Sequence, residues 1–350
     1  MMEFEIKPID FRKASREEWS MYHIFRRKMS EEDYPGDPIF DDEKEEVWMD
    51  SVYEDFEVFT YYVTKRDNPN EMIALLRTRF VSEGTPSYPG NEHILRTLLY
   101  VLKDYRRQGI ARELMKLVVK HAQENGKSLI MTGTSQDDGR KALKKLGAQE
   151  ALTQRDNRTN LEDIDWKMVE QWVKEGPERS PESKLEFHTE IPDEILKEYC
   201  RVYTEVFNQA PLDELNRGDI VFTPELWKKE EQRAKDTGIT WITAMLREKN
   251  GDIAGLTDIY YEPKHAPLLY QALTGVPEKY RGSGKGKWLK AAMLLKIRNE
   301  FPDIKTITTQ NATSNKPMLA INKRLGFKVH KELYSCQVAT EKVAEYLKKT

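Results

Sequence analysis

The chain has only two cysteines in 350 residues, Cys200 and Cys336, far apart and outside any CxxC pattern. That excludes a disulfide framework and a cysteine-built zinc site, and it fits a reducing compartment. No apolar run reaches the roughly 18 residues that a membrane span needs. The first residues, MMEFEIKPIDFRKAS, have no apolar core of the kind a signal peptide carries. A cytoplasmic location and no membrane partner are therefore expected. The net charge of −3 gives no overall positive field, and no aromatic–basic stripe runs along the chain. Nucleic acid is thus not an expected partner. Two common phosphate loops are also missing. GxxxxGK[ST] fails because Gly286-Lys287 is followed by Trp288, and GxGxxG does not occur at the glycine-rich strings.

With 39% apolar and 33% charged residues there is material for two cores under a charged surface. The length suggests about two domains. KEGPERSPESK, from Lys174 to Lys184, has two prolines, a glycine and no apolar period, and it falls near the middle. The expected division is a domain over 1–176, a linker over 177–184, and a second domain over 185–350. Each half holds one glycine-rich string, LLYVLKDYRRQGIA (Leu98–Ala111) and LTGVPEKYRGSGKG (Leu273–Gly286). Tyr105 and Tyr280, Arg106 and Arg281, and Gly109 and Gly284 share an offset of 175, and KKLGA at Lys144 is echoed by KRLGF at Lys323. This reads as a diverged internal duplication.

The order of elements repeats too. In the first half, Ser15 and Glu18 suggest a capping box for a helix. FEVFTYYVTK and NEMIALLRTRFV read as strands joined by RDNPN, ILRTLLYVL as another strand, and RELMKLVVKHAQEN as a helix with Leu114, Leu117, Val118 and Ala122 on one stripe. DDEKEE, Asp41–Glu46, reads as a solvated helix face. In the second half Thr223 and Pro224 start a helix. TWITAMLRE, DIAGLTDIYYEP and PLLYQALTGV are strands, and KWLKAAMLLKIRNEF is a helix burying Leu289, Ala292, Met293 and Ile297. The expected class is α/β (α+β), with each half one mixed, mostly antiparallel sheet flanked by helices.

Each glycine string follows an apolar strand and opens an amphipathic helix. The first turn of a helix offers amide groups with no internal partner and a partial positive charge. Glycine permits positive φ and close approach of a ligand to the backbone. Arg281 and Lys285 add charge in the second half, as Arg106, Arg107 and Arg112 do in the first. The combination makes an anion site suited to a diphosphate.

The pattern present is Arg-x-x-Gly-x-Gly/Ala. Together with TTQNATSNKPMLAINKRLGF and the weaker TGTSQDDGRKALKKLGA, it resembles the GCN5-related N-acetyltransferases, in the tandem arrangement of mycothiol synthase-like sequences. The resemblance spans nearly the whole chain and is stronger in the second half. It implies acetyl-CoA as cofactor. By motif position, the diphosphate falls to Arg281, Gly282, Ser283, Gly284, Lys285 and Gly286, and to Arg106, Arg107, Gln108, Gly109, Ile110 and Ala111. The pantetheine arm falls to Thr274, Gly275 and Val276, and to Tyr100, Val101 and Leu102. Pairing of its two amides with an open strand edge is physically sensible. Asn311 and Asn315 are expected either to bind the cofactor's polar atoms or to form a turn and a cap.

Amine acetylation needs a base for the ammonium and a donor for the oxyanion, and it benefits from an acid for the thiolate. Val276 N–H is the expected oxyanion donor, in a catalytic second half. The acid that the family often places as Tyr is Leu143 in the first half and Asn322 here, which can hydrogen-bond the sulfur but not protonate it; either the thiolate leaves without enzymatic protonation, or Tyr270 or Tyr334 supplies the proton. The family-like Glu of the fourth strand is missing near Tyr270. Asp258 is the carboxylate inside a second-half strand, read either as base or as a solvent-facing residue. Asp213, Glu214 and Asp219, with Gln271, are expected to grip a cationic amine, either a small molecule or a peptide. The alternative is a non-catalytic acyl-CoA-binding or regulatory protein.

Overall fold

The structure is a computed structural model that describes residues 3–349. Its first elements are β1 (Phe4–Ile9), α1 (Arg16–Asp33), α2 (Asp42–Asp55), β2 (Phe56–Lys65), β3 (Asn68–Val81), β4 (Ile94–Val101), α3 (Ile110–Glu124), β5 (Leu129–Thr134), α4 (Asp137–Lys145), β6 (Gln149–Asn160) and α5 (Trp166–Arg179). Then follow β7 (Ser183–His188), α6 (Asp193–Asn208), α7 (Pro224–Asp236), β8 (Thr240–Glu248), β9 (Ile253–Tyr261) and β10 (Leu268–Gly275). The chain closes with α8 (Lys285–Glu300), β11 (Thr306–Ala312), α9 (Lys316–Arg324), β12 (Lys328–Ala339) and α10 (Thr340–Lys349). Residues 177–184, expected as a linker, are the last turn of α5 and the first residues of β7 with a short turn between.

The chain forms two compact units. The first comprises Met1–Thr153, Leu212–Asp219 and Leu333–Thr350; the second comprises Gln154–Pro211 and Ile220–Glu332. In the first, β1 to β4 pair antiparallel in sequence order, β4 pairs parallel with β5, and the end of β12 closes the sheet against β5. The second repeats this plan: β7, β8, β9 and β10 pair antiparallel, β10 pairs parallel with β11, and β11 pairs with the end of β6. The closing strand of each sheet is thus taken from the far side of the chain's midpoint. The β2–β3 turn is tighter than expected, because Asn68, Pro69 and Asn70 already belong to β3.

Local signals act as the chemistry dictates. Ser15 Oγ accepts from Glu18 N–H while Glu18 accepts from Ser15 N–H, closing the capping box of α1. Thr223 caps α7 with Pro224 at its first position. The α3 stripe buries Leu114, Val118 and Ala122, with Leu117 at its margin. Leu289, Ala292, Met293 and Ile297 of α8 are buried as expected. The acidic start of α2 is less solvated than expected: Asp42 pairs with Arg26 and Arg27, and Glu46 with Arg16.

In the second unit α5 lies on α8 through Gly176. A Cβ there would stand 2.2 Å from Trp288 Cδ2. Alanine normally gains about 1 kcal/mol over glycine inside a helix. Here the clash with a buried indole outweighs that gain. Gly176→Ala is expected to destabilise the second unit by about 1–3 kcal/mol, seen as a lower urea midpoint; an unchanged or higher midpoint contradicts this packing.

Candidate functional site

In the first unit, β4 and β5 are paired only from Ile94–Thr97 to Leu129–Thr132. Beyond Thr97, β4 follows β3, with Val101 opposite Ala74, while β5 follows β12, with Thr134 opposite Tyr334. The strands part, and a cavity of about 400 Å³ opens between them. Its walls are the ends of β4 and β5, the loop before α3 and one side of α4. Leu102 N–H donates to Ile73 O at 3.0 Å. By the alternation of an antiparallel ladder, Leu99 and Val101 then turn their peptide groups toward the gap. An extended ligand would pair with those two, rather than with Tyr100 and Leu102.

At the end of the gap, Gly109 caps α3 with φ +86°. Arg107 has φ +64°. The amides of Gln108, Gly109, Ile110 and Ala111 make no hydrogen bond among the described residues. Apart from its chain neighbours, none of the described residues comes within 4 Å of where a Gly109 Cβ would be, so the cradle is open. Arg106 does not face it: Nε donates to Val101 O at 2.9 Å and Nη2 to Glu32 at 2.8 Å. The guanidinium clamps the strand's end instead. Besides Arg106, the cavity's cations are Arg107, Arg112, Lys141 and Lys145.

The second unit repeats the device. β10 and β11 are paired only at Leu268–Tyr270 and Thr306–Thr308. Gly284 caps α8 with φ +85°, and Gly282 also has positive φ. The amides of Lys285, Gly286 and Lys287 make no hydrogen bond among the described residues. Arg281 Nε donates to Val276 O at 3.0 Å, the counterpart of Arg106 on Val101. Between Gln271 and Thr274 the β9–β10 register shifts, a bulge absent from β3–β4.

Residues 20–147 match the model of the acetyltransferase (GNAT) family. A tandem GNAT protein from the clavulanic acid biosynthesis pathway is similar over 97% of this chain and 99% of its own, with 18% identity and a TM-score of 0.73. This chain folds as a tandem GNAT protein. A GCN5-related N-acetyltransferase from Sphaerobacter thermophilus is similar over 96% of both chains, with 14% identity and a TM-score of 0.61. Saccharomyces cerevisiae N-myristoyltransferase with bound myristoyl-CoA is similar over 96% of this chain and 78% of its own, with 11% identity and a TM-score of 0.56. No curated protein matches the sequence. Among the described residues, no helix is long and apolar enough to cross a membrane, and no cluster of His, Cys, Asp or Glu could hold a metal.

Several of the expected residues do gather. Asn322 Nδ2 donates to Asn311 Oδ1 at 2.7 Å, joining α9 to β11. Asn315 caps α9 by accepting from Met318 N–H at 3.3 Å. Thr274 and Thr257 share a hydroxyl hydrogen bond of 2.7 Å. Gly275 is needed for packing: its Cβ would fall 2.5 Å from that of Val206.

Others do not. Lys285 is buried, with Nζ on Ser180 and Ser283 at 3.1 and 3.2 Å and paired with Glu248 at 3.4 Å, so its ammonium is withdrawn from the cradle. Gln271 is buried on the side of Thr257, whereas Asp258, one residue along β9, faces the opposite side of the sheet. Asp213, Glu214 and Asp219 belong to the first unit, where Glu214 N–H donates to Ala151 O. Tyr334 also lies there, opposite Thr134 and 4.0 Å from the Arg140 guanidinium. The crossed-over strand and loop carry these four residues away from the second-unit site they were expected to serve.

Asp258 is not solvent-facing. It is 0% exposed and accepts from Thr243 Oγ1 at 2.7 Å, while Oδ2 has no hydrogen-bond partner among the described residues. Burial pushes its carboxyl up to about 7, against the pull of Thr243, Tyr203 and Trp241. Tyr270 shares that face, stacks on Tyr260 at 6.4 Å and is 38% exposed. Burial, then the charge of Asp156, pushes its hydroxyl up.

Sequence reasoning missed a polar group in the first unit. Asp33, at the end of α1, lines the cavity and accepts from Gln136 Nε2 at 2.5 Å and Ser135 Oγ at 3.4 Å. Gln136 also donates to Tyr100 Oη at 2.8 Å. Tyr100 donates to Glu32 at 3.1 Å, and burial with the charges of Asp33 and Glu32 raises its hydroxyl well above the usual range. Nothing local marks Asp33; only the fold brings the C-terminus of α1 to the end of β5.

Proposed function

We propose that this tandem GNAT protein moves an acetyl group from acetyl-CoA directly to a primary amine, and that the first unit carries the reaction. The observation that carries this reading is the gap between β4 and β5, which ends in the open amides of Gln108–Ala111. Those amides, with Arg107 and Arg112 beside them, would hold a diphosphate. Leu99 and Val101 offer peptide groups to a pantetheine arm. Acetyl-CoA supplies an activated acyl thioester. Two carboxylates, Asp33 and Asp138, line the cavity, and Asp33, its Oδ1 held by Ser135 and Gln136, is the one we assign to take the ammonium's proton. Tyr100 keeps its proton near neutral pH and is the nearby hydroxyl able to give one up. In the second unit, full burial of Asp258 and withdrawal of Lys285 weigh against the catalytic role expected from sequence.

Release of the CoA thiol with a panel of amines tests this. Asp33→Asn is expected to lower kcat about 100-fold or more, the usual scale for a lost general base, with acetyl-CoA affinity by calorimetry unchanged. Asp258→Asn is expected to leave turnover near wild type. The reverse pattern returns the chemistry to the second unit. Binding of acetyl-CoA with no amine turned over favours a non-catalytic acyl-CoA-binding protein.

A further inference from the structure

We propose that Arg77, Arg79 and Arg96 form the seat for a compact oxyanion, phosphate or carboxylate, carried by the acceptor amine. This rests on the first unit being the transferase. Arg79 and Arg96 stand directly opposite each other in the β3–β4 ladder, where facing Cβ atoms are about 4.5–5.5 Å apart. Arg77 is two residues along β3 and so points to the same face. Across the ladder from Arg77 is Leu98, which lines the cavity between β4 and β5. The three guanidiniums therefore stand on a continuous strip of sheet that leads to the proposed acyl site.

Three like charges on one partly buried face repel one another. Among the described residues, none of the three forms an ion pair. Arg12, Arg16, Arg26 and Arg27 of the same unit all do. Glu45 meets this face through the Tyr22 hydroxyl, which donates to it at 2.6 Å and accepts from Arg77 at 3.5 Å. Rings also stand over the arginines: Phe56 at 4.8 Å from Arg79, and Phe11 and Trp48 at 5.8 and 6.0 Å from Arg77. Arg77 is 5% exposed, yet among the described residues its Nε has no acceptor, and the buried Thr60 hydroxyl, opposite Arg77 on β2, has no partner there either. Burial first, then Arg77 and Arg96, disfavour the charge on Arg79. Burial, then Arg217 from the 212–219 segment of the same unit, act likewise on Arg96. Arginine does not shed its proton to escape. An anion between the guanidiniums satisfies the donors and removes the repulsion. The acidic loop that suggested a cationic acceptor brings an arginine here instead.

The test uses the full chain saturated with coenzyme A, so that the diphosphate cradle is filled. Inorganic phosphate and succinate are titrated separately, by calorimetry and thermal melting. At least one is expected to bind and raise the Tm, and the stronger identifies the oxyanion. Arg79→Gln and Arg96→Gln, on different strands, are each expected to raise the Tm of the anion-free protein and to abolish the anion's effect, with Arg79→Lys retaining part of it. In the transfer assay, O-phosphoethanolamine and β-alanine are compared with ethanolamine and propylamine. The anionic amine of the better-bound kind is expected to have a kcat/KM tenfold or more above its neutral counterpart, and Arg79→Gln to bring the ratio near one. Failure of both anions to bind, or a preference that survives both Gln variants, overturns the proposal. Anion binding that the Gln variants abolish, with no amine acetylated, keeps the oxyanion seat and rejects the transferase reading.

Discussion

Lys290→Met is expected to stabilise the second unit by an amount on the order of 4 kcal/mol at pH 7. Lys290 is 1% exposed on α8, without an ion pair among the described residues, and burial pushes its ammonium down to about 7. At the repeat offset of 175 the first unit has Met115, a side chain of similar length with no charge to bury. The pH dependence follows from linkage. A lysine whose folded value lies below its unfolded one costs stability in full below pH 7, and the cost fades as pH rises toward 10.5. Asp258 acts in the other direction. Its folded value, up to about 7 from 3.8, makes its cost negligible in acid, growing between those values and full above 7. Together the two groups give the second unit a stability minimum near pH 7. Lys290→Met should remove the alkaline rise and Asp258→Asn the acid one. Urea titrations at pH 5, 7 and 9 read this by fluorescence, because Trp166, Trp172, Trp227, Trp241 and Trp288 lie in the second unit, against Trp19 and Trp48 in the first. A Lys290→Met chain no more stable than wild type, with its alkaline rise intact, means that the ammonium is satisfied in solution.

The repeat, the strands around the glycine strings and both helices that follow them were legible because each is fixed by local chemistry. Glycine at positive φ, a polar cap and an apolar stripe all act within a few residues. β6 and β12 were not legible. Their sequences, QEALTQRDNRTN and KVHKELYSCQVA, lack a clean alternation. Asp156, Asn157 and Thr159 are nevertheless buried, because β6 satisfies its polar groups laterally: Asp156 accepts from Thr308 Oγ1. Missing these two strands hid which unit Tyr334 belongs to. The roles of Arg106 and Arg281 were misread for a different reason. A sequence shows that an arginine stands five or six residues after a strand's end, but not that its guanidinium turns back onto a carbonyl there. Asp33 and the arginine strip depend on which helix end and which sheet face meet the cavity, and that is tertiary information.

Gly109→Glu should abolish coenzyme A binding in the first unit, with an affinity loss of 100-fold or more. Two costs combine. A non-glycine residue at φ +86° is strained by roughly 1–2 kcal/mol. The larger effect is a carboxylate placed among the free amides of Gln108, Ile110 and Ala111, where it takes the donors and repels a diphosphate. The protein itself has room for the change, since beyond the chain neighbours no described residue lies within 4 Å of the added Cβ. The variant should therefore fold, and lost binding reports on the ligand rather than on the scaffold. Gly109→Asn separates the two costs: asparagine tolerates the left-handed region and brings no charge, so it should retain most of the affinity. Gly284→Glu asks the same of the second unit, where a Cβ meets Lys287 and Arg179 only at 3.6 and 3.7 Å. Calorimetry with coenzyme A then counts the sites. If Gly109→Glu alone removes the heat of binding, one cradle works and it is the first. If Gly284→Glu alone removes it, the second unit holds the coenzyme despite the inward Lys285. A Gly109→Glu chain that binds like wild type means that the diphosphate does not rest on these amides.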